Sequence, residues 1–123
     1  MWYITRNETH FNRATSILDA WGANLTSIIG TDTSLLIGTE GDLMVNAAEI
    51  LRWEGRASGL SWTGAGKFAN IVYWLFARQS IIIGQANYGM VSIKALMSFA
   101  VYLDDVAMVS VSVSAAGRSF LTF

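Results

Sequence analysis

The chain has one histidine, His10, and a lone imidazole is a candidate general base near neutral pH, although a surface or capping role is open to it as well. Arg52 and Arg78 carry planar forks suited to carboxylates, and they have Asp42, Glu49 and Glu54 as alternative partners within the chain. Trp53, Trp62 and Trp74 offer flat apolar faces for stacking, or they fill the core. Asn87 suits a helix cap. Asn46 and Glu49 stand three apart, as neighbours on one helix face that can satisfy each other. Asp104 and Asp105 are adjacent, so they do not face one another across a cleft, and they read as a helix end. No phosphate-binding glycine loop, nucleophile elbow or metal-ligand cluster is present in the pattern, so no cofactor and no metal are expected.

Composition narrows the classes. Hydrophobic residues make up 53% of the 123 residues and charged residues only 14%. A soluble domain carries about 25% charged residues. Such an apolar chain belongs to a larger body, sits in a membrane, or self-associates through exposed apolar surface. The net charge is −1 and the cations are scattered, so nucleic acid is not an expected partner. Cysteine is absent, which excludes disulfides and thiolate metal sites. Proline is absent too, as suits a mostly helical chain. No signal peptide is visible at the N-terminus. Two sequons, at Asn7 and Asn24, are weak pointers to secretion.

The elements follow from periodicity. Phe11, Ala14, Leu18, Trp21, Leu25 and Ile28 recur at three and four, which predicts a helix over 8–29 capped by Thr9 and stopped by Gly30. A second helix is expected from Asp42 to Trp53, with Leu43, Ala47, Ile50 and Leu51 on one face. The stretch 54–66 is rich in Gly and Ser and reads as a loop edged by Trp53 and Trp62. A third helix, apolar on most sides, is expected over 67–83 and stopped by Gly84. A fourth runs over 87–103. None of these is long and apolar enough for a membrane span of about 20 residues. The tail alternates Val and Ser from Val109 to Ser114, the period of an exposed strand rather than a helix.

Three long segments carry a resemblance. ETHFNRATSILDAWGANLTSIIGTD (8–32), GDLMVNAAEILRWEG (41–55), and the run from Gly84 through IKALMSFAVYLDD to Asp105 are similar, in order and spacing, to the alginate lyase domain, fungal members above all. The resemblance covers about residues 7 to 105. It implies an all-α fold, a partial α/α toroid of about four helices, with 106–123 as a divergent, irregular tail. Family members continue into a Gly-Arg-Asp-Gln-x-His-like region; here Gly117-Arg118-Ser119 stands instead, and the chain reads as truncated.

The implied reaction is β-elimination on a uronate-containing polysaccharide. By the match, Asn87 would neutralise the substrate carboxylate as charge develops. Tyr88 stands where bacterial relatives have a histidine base, a departure that leaves the base open between Tyr88 and His10. Gln85, Arg52, Arg78, Trp53 and Trp62 become the expected substrate contacts, an acidic polysaccharide the expected partner, and the outside of the cell the expected location. The alternatives are a non-catalytic helical module that binds glycan or protein, and a small membrane-associated helical protein.

Overall fold

A computed structural model describes residues 1–79 and 86–121, and every regular element among them is helical. In chain order these are α1 (Trp2–Thr5), α2 (Glu8–Asn24), α3 (Thr33–Leu36), α4 (Asp42–Ala57), α5 (Ala65–Ile71), α6 (Ala86–Tyr102) and α7 (Val106–Leu121). A π-helical turn, Ile37–Gly41, joins α3 to α4, and a second π segment, Val72–Ala77, prolongs α5.

Helix α2 begins one cap earlier than its sequence suggests. Asn7, not Thr9, is the cap: its side chain accepts the Thr9 N–H at 2.9 Å. Glu8 sits in the first turn, where its charge complements the helix dipole. The helix ends at Asn24, so Leu25 and Ile28 lie beyond it.

Helix α4 turns a different face inward from the expected one. Val45, Ala48, Leu51 and Gly55 are buried, whereas Leu43, Ala47 and Ile50 face solvent. Small residues decide this. Gly55 admits the Phe11 ring of α2, and a Cβ there would collide with it. At the other end Asp42, 2% exposed, is drawn inward by partners on α6. The expected 54–66 loop is also shorter, because α4 runs on to Ala57 and α5 starts at Ala65.

Helix α6 runs alongside α4 in the same direction. Val91 packs on Gly38, Ser98 bonds Asp42, and the Tyr102 carbonyl accepts from Arg52. The core lies between them: Phe11, Leu18, Phe68, Val72, Phe76, Phe99 and Tyr102, all nearly free of solvent contact. Phe68 meets Tyr102 edge-on at 5.9 Å, and Phe76 lies 5.7 Å from Phe99. Such ring pairs add to the burial term.

The tail expected to be irregular is instead α7, packed on α6 as a hairpin. Asp104, at φ 54, ends α6, and Asp105 Oδ1 accepts the Met108 N–H at 3.0 Å to start α7. The Val/Ser alternation conceals a helical row. Met108, Ser112 and Ala115 stand at i, i+4 and i+7, with Ser112 and Ala115 buried. Ser112 Oγ donates back to the Met108 carbonyl at 2.7 Å, which removes the cost of burying a hydroxyl.

Candidate functional site

Of the residues singled out for elimination chemistry, His10 lies apart from Tyr88. His10 is exposed on the first turns of α2, next to Phe11, which abuts Gly55 near the end of α4. Tyr88, 45% exposed, opens α6 one turn before Val91, which abuts Gly38 ahead of α4. Gly38 and Gly55 are 17 positions apart along a nearly continuous helix, a span of roughly 25 Å. A general base must come within hydrogen-bond reach of the proton it takes. His10 and Tyr88 therefore cannot share one reacting centre in this chain. Asn87 lies beside Tyr88 on α6 but its side chain, like all of Gln85 and the Gly84 stop, lies outside the described residues.

Three of the expected substrate contacts are committed to the fold. Arg52 donates to Glu49 Oε2 at 2.7 Å and to the Tyr102 carbonyl at 3.0 Å, with its guanidinium 4.5 Å from the Tyr102 ring centre. Trp53 donates its indole N–H to Glu49 Oε1 at 2.9 Å. Trp62 donates to Asp19 Oδ1 at 2.7 Å and lies tilted against Phe68. Asn46 turns to Asp42, at 3.2 Å, rather than to Glu49. Tyr102 is the hinge of the first group: its hydroxyl donates to the Ala65 carbonyl at 3.1 Å. Burial pushes its pKa up to about 12, partly opposed by the Arg52 charge.

Arg78 differs from the other two arginine and tryptophan sites. Its guanidinium lies 5.1 Å from the centre of the Trp74 ring, and Trp74 is 58% exposed. Tyr73 stands edge-on to Trp74 at 5.0 Å and is exposed too. Lys67 and Asn70 are exposed on the same helix. Lys67, Asn70, Trp74 and Arg78 follow each other at three or four positions, so they form one row, with Tyr73 beside it. The inner face of the same helix, Phe68, Ile71, Val72 and Phe76, is buried and holds the row in place. Residues 65–79 contain no Asp or Glu. The row thus presents two cations, with an amide and two aromatic side chains between them. Only Trp74 and Arg78 of this set stand out in the sequence. Lys67 and Asn70 interrupt an apolar stretch whose outer side the pattern leaves undefined, and Tyr73 carries no signal of its own there.

A second polar group surrounds Asp42. Its carboxylate accepts from Ser98 Oγ at 2.6 Å and Asn46 Nδ2 at 3.2 Å, and pairs with Lys94 Nζ at 2.9 Å. Every contact is internal to α4 and α6, so this group fastens two helices. Among the described residues no cluster of three His, Asp or Glu side chains could hold a metal ion, and no helix is long and apolar enough to cross a membrane.

No family model matches the chain, and neither a curated protein nor a solved structure matches it.

Proposed function

We propose that the chain is a helical binding module for an acidic polysaccharide, which it holds along the exposed row Lys67, Asn70, Tyr73, Trp74 and Arg78. The observation that carries this reading is the pairing of Arg78 with an exposed Trp74 on a helix segment free of acidic residues. A polyuronate has apolar ring faces that stack on aromatics, hydroxyls that take an amide, and regularly spaced carboxylates that take Lys and Arg. The row supplies these groups in that mixture. An anionic membrane would favour the same cations and aromatics, but it also takes up a broad apolar face of the Trp, Phe and Leu kind. Among the described residues of this helix no aliphatic side chain is exposed: Ile71 and Val72 are buried and Leu75 packs part-buried against the core.

The resemblance to the alginate lyase domain points to the same class of polymer, and with it to an incomplete α/α toroid and an extracellular setting. Elimination itself rests on that resemblance alone. The separation of His10 from Tyr88 leaves only one of the two beside Asn87, and Tyr88 is its neighbour on α6.

Calorimetric titration with alginate, glucuronan and a neutral glucan tests the reading, with ultraviolet absorbance followed in parallel for unsaturated ends. Saturable heat with the two acidic polymers only, without new absorbance, is the expected result. Equal heat with the neutral glucan, or none with any polymer, refutes it. Growing absorbance restores the lyase reading.

A further inference from the structure

A cavity of about 430 Å³ lies between the end of α2 and the first π turn, away from the glycan row. Its apolar lining includes Trp21, Ile28, Leu36, Met44 and buried Phe76. Two polar side chains reach it, Ser27 and Glu40. Ligand cavities fall in the range of about 300–1,000 Å³, with apolar walls and a few polar groups that orient the guest.

Both π segments of the fold meet here. Ile37–Gly41 forms part of the lining, and Phe76 comes from Val72–Ala77. Gly41 is where they touch: a Cβ on it would stand 3.4 Å from the Phe76 ring. π segments are uncommon and concentrate at functional sites, where the widened turn shifts side chains out of the helical repeat.

Charge selects the guest. Glu40 is exposed and forms no ion pair among the described residues. Among the described residues no Lys, Arg or His lines the cavity. A carboxylate-headed amphiphile would bring its anion against Glu40 without compensation, whereas an ammonium head would pair with it. We propose that this cavity binds a cationic amphiphile, an apolar chain or ring that carries an ammonium group, with its body against Trp21, Met44 and Phe76 and its head on Glu40. The site is independent of the polysaccharide reading and stands or falls without it.

Titration of the isotope-labelled protein with decylamine, decanol and decanoate, each below its aggregation threshold, tests the site by NMR. Decylamine shifts the Trp21 indole and Glu40 signals saturably and binds about fivefold tighter than decanoate, the scale of one exposed ion pair. Glu40→Gln, an exposed change, removes that preference while binding of decanol is retained. Met44→Trp fills the cavity and weakens all three. Absence of saturable shifts at Trp21, decanoate binding as tight as decylamine, or a preference that survives Glu40→Gln overturns the proposal.

Discussion

Lys94 Nζ lies 2.9 Å from Asp42 Oδ2, and the two residues join the start of α4 to the middle of α6. The members of the pair are unequal. Asp42 is buried and also accepts from Ser98 and Asn46, whereas the Lys94 side chain is 65% exposed. Loss of Asp42 takes the acceptor from Ser98 and Asn46 and the counter-charge from Lys94, whereas loss of Lys94 leaves the carboxylate its two hydrogen bonds. Asp42→Ala is therefore expected to cost roughly 2 kcal/mol in urea unfolding. Lys94→Gln is expected to cost less than about 1 kcal/mol. Equal losses would mean that the ion pair, not the buried carboxylate, fastens the helices.

Tyr102 makes stability depend on alkaline pH. Its folded pKa is raised from 10.0 to about 12 because burial disfavours the phenolate. The neutral phenol is thus the form the fold favours. Its contribution is complete below pH 10 and is lost as pH rises through about 12. Urea midpoints measured across this window should fall in the native chain, and less steeply in Tyr102→Phe. That variant also gives up the hydroxyl bond to Ala65, so its midpoint at neutral pH is expected to start lower.

The two faces of α4 predict opposite outcomes for similar residues. Leu43 and Ile50 face water, so Leu43→Glu and Ile50→Glu should each stay within about 0.5 kcal/mol of the native stability. Leu51 is buried in the core, and Leu51→Ala should cost about 2–4 kcal/mol. Chemical denaturation of the three variants distinguishes the observed face from the one centred on Leu43, Ala47 and Ile50.

That face shows where sequence reading reaches its limit. Phe11 and Leu18 of α2 were legible because a strongly periodic stripe meets a single core. In α4 two apolar stripes compete, and the choice is made by Gly55 receiving Phe11 and by Asp42 reaching Ser98, 56 positions away. In α7 the Val/Ser alternation fits period two on its surface, while the Met108, Ser112 and Ala115 row that packs on α6 is sparse and partly polar. The site follows the same rule. Arg52, Trp53 and Trp62 have the right types for polysaccharide contact, yet Glu49, Tyr102 and Asp19 occupy them. Trp74 and Arg78 remain available because their helix buries its other side.

The central claim is that acidic polysaccharide binds along one row of one helix. Affinity electrophoresis in gels containing alginate measures this directly, with the native chain compared against Trp74→Ala, Arg78→Gln and Lys67→Gln, and with Arg13→Gln on the exposed side of α2 as the control for charge alone. The account predicts marked retardation of the native chain and of Arg13→Gln, and a clear loss of retardation in each variant of the row. Retardation that falls equally in Arg13→Gln, or that survives Trp74→Ala and Arg78→Gln together, would contradict it.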